Sequence, residues 1–400
     1  MHYTNIFYTF VTIRFSTIFM QYIILSAILA FVITFFAIPV IIGIAKSKKL
    51  FDEPDERKVH KAVIPTLGGL GIFGGFIVTM LICVPELAQD ANKLKYFAAA
   101  TIVIFFLGLK DDLVILSASK KFIGQLIAAG IIMRFGNIYL NDMHGFLGIH
   151  QIPHFASIFL TIFAIIVITN SFNLIDGVDG LAGSLGLITT IIFGAYFYFA
   201  NQEGAYSTYA VMAFSLSGAI VAFLIYNFSP AKIFMGDTGS LLIGIINSIL
   251  VIKFINVAGS PINNTFSLAA SPAIGFAVLM IPLFDTLRVF GLRILDRRSP
   301  FSPDRIHVHH YLLDLGFSHK KVTLTCVAVT VVFVATAFLL RNLDTTILIG
   351  ILLAMAFSFI GIIYYYRQKL QQPAKKALEE AEIRTSHKIY GFAPETAQVD

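Results

Sequence analysis

An all-α polytopic membrane protein with about eleven transmembrane helices is the fold class the sequence predicts, and three observations carry that expectation. Of 400 residues, 57% are hydrophobic and 13% charged, and mean hydropathy is +0.82. A soluble domain has about 25% charged residues, so this chain lacks the side chains to cover a water-facing surface. Apolar runs such as Tyr22 to Ala45, Thr323 to Leu340 and Ile347 to Tyr366 are long enough to cross a bilayer. Basic residues are also segregated along the chain. These features exclude a disordered chain, a disulfide scaffold and a free cytosolic enzyme. A transporter, a channel and an intramembrane enzyme remain.

The spans centre near residues 33, 76, 102, 128, 161, 191, 215, 248, 281, 331 and 356. The third and fourth are short: Tyr96–Leu109 and Phe122–Phe135 fall below the usual minimum of roughly 17 residues and need flanking polar residues to complete a crossing, so ten spans are the alternative count. Residues 1–19 are aromatic-rich, carry Arg14 and enter the first span without a polar loop; they read as an extension or an interfacial segment, with no signal-peptide cleavage pattern. Residues 1–366 form one membrane domain, and 367–400 a polar tail with an amphipathic stretch. Cys83 and Cys326 lie in apolar runs, where thiols pack as small hydrophobes.

Under this topology 23 of the 29 Lys and Arg residues fall on one side, which the positive-inside rule makes cytoplasmic. The N-terminus is then outside and the C-terminus inside. The charge of +6 reports orientation and anionic headgroups rather than nucleic acid, for which no motif occurs. The same side also holds 18 of the 23 acidic residues, on which topology places no demand. Many sit beside glycines in short loops.

Those loops carry the chemistry. The first runs from Phe51 through His60 and Lys61 to Gly68-Gly69. The second holds Asp111-Asp112 at the end of a helical stretch, where a helix C-terminus disfavours negative charge, so metal or phosphate chemistry explains the pair better than a solvated turn. Ten residues on, Lys120-Lys121 can neutralise a lipid phosphate or anchor to headgroups. The third, Asn170-x-x-Asn173-x-x-Asp176-Gly177-x-Asp179-Gly180, contains no Lys or Arg; its carboxylates, three apart, share one face if the segment is helical. The fourth runs from Asn227 through Phe234 to Gly236-Asp237-x-Gly239-Ser240, with Asp237 opening a helix. Oxygen ligands this sparse suit Mg²⁺, which keeps waters and shares substrate phosphates. The fifth pairs Arg288, Arg293, Arg297 and Arg298 with Asp304-Arg305-x-His307-x-His309-His310. That spacing lacks the partners of a zinc site, while arginine forks suit diphosphate. No P-loop or strand-borne glycine fingerprint occurs, so phosphate recognition has to be assembled from loops.

Taken together, the five motifs, spanning Asp52 to about Leu315, make the chain resemble the polyprenyl-phosphate N-acetylhexosamine-1-phosphate transferases of glycosyltransferase family 4. Val308 interrupts the histidines as in the WecA/TagO branch rather than the MraY branch. The resemblance implies transfer of HexNAc-1-phosphate, most simply GlcNAc-1-phosphate, from UDP-HexNAc to undecaprenyl or another polyprenyl phosphate, giving UMP. It implies a multi-pass protein of a bacterial inner membrane, in contact with membrane lipids, that starts cell-envelope polysaccharide synthesis. Mg²⁺ is the implied cofactor, with Mn²⁺ as a substitute, and Asp237 its ligand. Asp111, as base, and Asp112 act at the lipid phosphate with Lys120 and Lys121. Asn173, Asp176 and Asp179 line the nucleotide site, Phe234 and Lys61 lie near the uridine, and Asn227 positions the nucleotide-sugar. Arg305, His307, His309 and His310 hold sugar and diphosphate. A homodimer is compatible with this reading, as is an MraY-like phospho-MurNAc-pentapeptide transferase. An ion-coupled transporter would need acids at mid-span, where Asp285, about one turn from Arg288, is the nearest case.

Overall fold

In the computed structural model, described for residues 2–48, 50, 64–86, 88–200, 204–260, 267–299 and 304–390, helix dominates. The helices are α1 (His2–Lys48), α2 (Gly68–Cys83), α3 (Leu94–Leu113), α4 (Ala118–Arg134), α5 (His154–Ile175), α6 (Leu181–Phe199), α7 (Ser207–Asn227), α8 (Gly236–Ala258), α9 (Ser271–Val278), α10 (Met280–Leu295), α11 (Val308–Asp314), α12 (His319–Leu339) and α13 (Thr345–Tyr390). Each expected span centre falls inside one of them. Among the described residues seven helices are long and apolar enough to cross a membrane, eight if the bent pair α9–α10 counts as one span. Helix α2 is apolar but only 16 residues long, and α3 ends in three charges, Lys110, Asp111 and Asp112. The structure therefore supports a polytopic helical protein and leaves the count of eleven open.

Burial orders the bundle. In α8, 83% of the most apolar window is buried, and in α7, 78%; in the first span, Phe19–Lys48, only 17% is. Helices α7 and α8 are thus the hub. Side chains on the outer helices, such as Phe36, Phe106 and Phe159, face outward, as expected where the solvent is lipid. The hub is held by close packing, because lipid tails supply no hydrophobic drive between helices. A side chain at Gly69 would collide with the Gly239 backbone at 2.2 Å, so only glycine lets α2 cross the start of α8 at this distance.

Two features depart from simple spans. Helices α9 and α10 meet at 85° around Leu279, where a straight crossing was expected. In a continuous helix the Pro282 ring would clash with the carbonyl of Val278, and its nitrogen could not donate to it; α9 ends at that residue. On the face opposite the motif loops, Asp142–Phe146 and Ile149–Gln151 form an antiparallel hairpin. Its two-residue turn, Leu147-Gly148, has positive φ at both positions, the backbone a tight hairpin needs. Helix α13 runs past residue 366 without a break, and Arg367 binds Asp314 at 2.8 Å, tying it to α11.

Candidate active site

The C-termini of α3, α5 and α7 and the N-termini of α4 and α8 meet at one end of the bundle, and their motifs converge on Asp237. Asp237 sits in the first turn of α8, where unpaired backbone N–H groups favour negative charge. Its Oδ2 accepts from Lys121 Nζ at 2.8 Å and its Oδ1 from Asn173 Nδ2 at 2.8 Å. Asn173 also donates to Ser240 Oγ at 3.1 Å. Lys121 bridges to Asp111, whose other oxygen accepts from Leu116 N–H at 2.7 Å. One turn deeper, Gln125 on α4 and Asn170 on α5 exchange reciprocal amide bonds of 3.2 and 2.7 Å. That pair fixes the distance between the two helices that deliver Lys121 and Asn173.

Asp112 closes the N-terminus of α8. Its Oδ1 accepts from Asp237 N–H at 2.7 Å, and its Oδ2 from Thr238 N–H at 3.1 Å and Thr238 Oγ1 at 2.5 Å. Helix α8 has no side-chain cap of its own, so α3 supplies one across the interface. Gly236 makes this possible: at φ 70° it turns the chain into the helix, and a Cβ there would strike the Asp112 carboxylate at 2.7 Å.

Asp176 and Asp179 do not share a helix face. Helix α5 ends at Ile175, and 176–180 is a turn; Gly180, at φ 76°, breaks the helical path. The turn gives the two acids different surroundings. Asp179 is braced: Oδ2 accepts from Ala231 N–H at 3.2 Å, Oδ1 lies 3.1 Å from His319 Nδ1, and its carbonyl accepts from Thr323. Asp176 faces Asp237, Asp112 and Asp179; burial first, then those like charges, holds its carboxyl well above the usual range. Burial also pushes Asp112 up to about 7, and burial with the neighbouring Asp237 pushes Asp111 up to about 6; both lie beyond the apolar stretch of α3 that ends at Leu109. A group of carboxylates in this condition is short of positive charge.

The fifth motif closes the opposite wall. His309 packs against Gly177, where an added Cβ would meet its Nε2 at 2.7 Å. The rings of His307 and His309 stack at 5.6 Å, and those of His309 and His310 lie 4.2 Å apart. Burial, then neighbouring positive charge, lowers His309 to about 3 and His310 to about 4, so both are neutral at pH 7. Their Nδ1 atoms are buried without hydrogen-bond partners, a costly state that a polar ligand would relieve. The segment is anchored by Arg293, buried on α10, which grips Asp304 through two bonds of 2.9 and 3.0 Å.

Asp111, Asp112, Lys121, Asn173, Asp176, Asp179 and Asp237 are therefore gathered together, with His307, His309 and His310 facing them. Asn227 braces this arrangement: its Oδ1 accepts from Gly180 N–H at 2.9 Å and its Nδ2 donates to Ile233 O at 2.9 Å. Phe234 lies alongside, pinned by backbone bonds to Pro65 and Gly68 of 2.7 and 2.9 Å. Lys120 is exposed and makes none of these contacts, and Arg305 is exposed but close enough to depress His309 and His310. Lys61 lies outside the described residues. Sequence reasoning overlooked Gln125, and it grouped Arg293 with the arginines suited to diphosphate, whereas the fold commits that side chain to Asp304.

Comparison with known proteins agrees with this geometry. Residues 94–255 match the model of glycosyl transferase family 4. The chain is 33% identical over 318 residues to the decaprenyl-phosphate N-acetylglucosaminephosphotransferase of Mycobacterium leprae, covering 75% of this chain and 79% of that protein. It is 32% identical over 329 residues to a probable undecaprenyl-phosphate N-acetylglucosaminyl 1-phosphate transferase of Bacillus subtilis, covering 79% and 85%. Its identity to the undecaprenyl-phosphate alpha-N-acetylglucosaminyl 1-phosphate transferase of Escherichia coli O157:H7 is 31% over 285 residues, covering 70% and 73%. With the motif loops gathered at one end of a helical bundle and relatives matched over most of their length, the chain belongs to glycosyl transferase family 4.

Proposed function

We propose that the protein transfers GlcNAc-1-phosphate from UDP-GlcNAc to a polyprenyl phosphate, releasing UMP. The observation that carries this reading is the convergence of Lys121, Asn173 and Asp111 on Asp237, facing histidines with unpartnered buried nitrogens. An oxygen of the lipid phosphate attacks the β-phosphorus of the donor. The bond from that phosphorus to the bridging oxygen breaks, and UMP leaves. Both reactants are anions, so charge neutralisation and positioning are the main requirements.

The residues divide that work. Lys121, next to the attacking side, neutralises the lipid phosphate, and Asp111 beside it accepts any proton that phosphate still carries. Asn173, Asp176 and Asp179 line the nucleotide site, with Phe234 and Lys61 near the uridine. Arg305 and the three histidines hold the sugar and diphosphate. Direct displacement is favoured over an enzyme-bound sugar phosphate, and trapping a labelled sugar phosphate on the protein without lipid acceptor would overturn that preference.

A divalent cation, Mg²⁺ with Mn²⁺ as a substitute, suits this donor set. Among the described residues no three His, Cys, Asp or Glu side chains form a closed metal site. Mg²⁺ does not require one, since it binds through one or two carboxylates plus substrate phosphates. Asp237 would hold it, and Asp176, raised by burial and then by the like charges of Asp237, Asp112 and Asp179, marks where positive charge would be welcome. Bound there, the ion would neutralise the diphosphate. The distribution of basic residues supports a cytoplasmic site in a bacterial inner membrane, with the N-terminus outside and the C-terminus inside.

The test is UMP release by purified protein with polyprenyl phosphate, Mg²⁺ and a panel of UDP-sugars. UDP-GlcNAc should be the best donor, and release should stop on chelation. Equal release from UDP-glucose, or release without the lipid acceptor, would contradict the reading.

A further inference from the structure

We infer that Asp285 sets the tautomer of His307 and so decides which hydrogen-bonding group that ring offers to the donor sugar. The inference rests on the function proposed above, in which the histidine wall meets the sugar.

Asp285 is 1% exposed on α10. The bend at Leu279 and the grip of Arg293 on Asp304 bring it under the start of α11. Its Oδ1 accepts from Arg288 Nη2 at 2.8 Å and from Val308 N–H at 3.0 Å. Its Oδ2 lies 2.8 Å from His307 Nδ1. A carboxylate only accepts, so Nδ1 must carry a proton. When the ring is neutral its lone pair lies on Nε2, as an acceptor for the acetamido N–H of the donor sugar. His307 stacks on His309, which packs against the Asp176-Gly177 turn, so the ring belongs to the wall of the site. Asp285 itself is a positioning residue, separated from the site by His307.

The two oxygens have unequal obligations, and this makes a clean test. In Asp285→Asn the amide oxygen must occupy the Oδ1 position, because two N–H groups point there. The amide NH₂ is then left facing His307 Nδ1. That nitrogen must become the acceptor, and the ring proton moves to Nε2. The cap on Val308 and the bond from Arg288 both survive, so a purely structural role for Asp285 calls for little change. Inverted polarity at Nε2 calls for a large one, because a buried donor would then face a donor.

Two measurements on the full chain in nanodiscs decide the matter. In ¹⁵N-histidine spectra of the ligand-free protein, with His307 assigned by its loss in His307→Gln, Nδ1 should bear the proton in the parent and Nε2 in Asp285→Asn. In UMP-release kinetics, Asp285→Asn should lower kcat/KM for UDP-GlcNAc about a hundredfold, with Tm within about 2 °C of the parent. Added to His307→Gln, it should cost no more than about threefold. A parent spectrum with a bare Nδ1, an Asp285→Asn spectrum that keeps the Nδ1 proton, or parental kcat/KM in Asp285→Asn would each overturn the inference. Asp285→Ala, lacking both oxygens, should show both tautomers; a single Nδ1-protonated form there would overturn it too. A parent that releases no UMP from any donor would sink the proposed function instead, and the spectra would still judge the pairing of Asp285 with His307.

Discussion

At one pole of the site Asp112 reaches from α3 to close the N-terminus of α8; at the other Asp285 reaches from α10 to close that of α11. Neither helix carries a side-chain cap of its own. The shared device serves opposite shortages. The α8 pole crowds Asp111, Asp112, Asp176 and Asp237 around one lysine and lacks positive charge. At the α11 pole the carboxylate is fully satisfied, while His309 and His310 each keep a buried nitrogen without a partner. One pole calls for a cation and the other for a polar, hydrogen-bonding ligand. A nucleotide diphosphate sugar with its metal ion would supply both, which is why a contrast in unmet needs points to this substrate class.

The largest expected break in the comparison is Asp237→Asn, which removes the charge on which Lys121, Asn173 and Asp111 converge. UMP release should fall about a thousandfold while the protein still elutes as a folded species. Activity at the parental level would remove Asp237 from the metal role. Next, Lys121→Ala should cost about a hundredfold and Lys120→Ala less than about twofold, measured as kcat/KM for the lipid acceptor. Equal losses would show that general surface charge, rather than the bridge from Lys121 to Asp111 and Asp237, serves the acceptor.

Asp112→Asn sharpens the contrast between the caps. Each Asp112 oxygen is needed by a backbone N–H, so an amide cannot satisfy both. Thermal unfolding should show a loss of about 1–2 kcal/mol, whereas Asp285→Asn, with a single oxygen serving both backbone and arginine, should unfold like the parent. An effect of similar size concerns pH. His309 and His310 titrate far below an unfolded histidine. Their contribution is intact above about pH 6.5 and is lost as pH falls below that, because the unfolded chain takes up protons that the fold refuses. Between pH 7.5 and 5, the parent should lose roughly 2 kcal/mol more stability than His309→Gln. An identical loss in both would mean that His309 is not held neutral.

Much of this was legible in the sequence. Apolar runs fixed the helices, and the motif loops were correctly placed on one end, because charge in a membrane protein has few places to go. What stayed hidden depends on contacts across the bundle. Asp112 reads as one of two equivalent acids until α8 is seen resting on it, and Lys120 and Lys121 read as a pair until the helix turns one toward Asp237 and the other toward solvent. Asp176 and Asp179 looked like one face of a helix; α5 instead ends at Ile175, with Asp176 at ψ 48°, and the turn that follows separates their surroundings. Gln125 gave no signal at all, since a lone amide in an apolar stretch reveals nothing of its reciprocal partner.

The central claim, that the two poles act on one donor, is tested most directly by following its β-phosphate. The purified protein is given UDP-GlcNAc labelled at that phosphorus, together with Mg²⁺ and polyprenyl phosphate. Label should move into the lipid phase as a sugar diphosphate, with one UMP formed for each lipid labelled. Label released as free sugar phosphate in water, or retained on the protein without acceptor, would contradict direct transfer between the two poles.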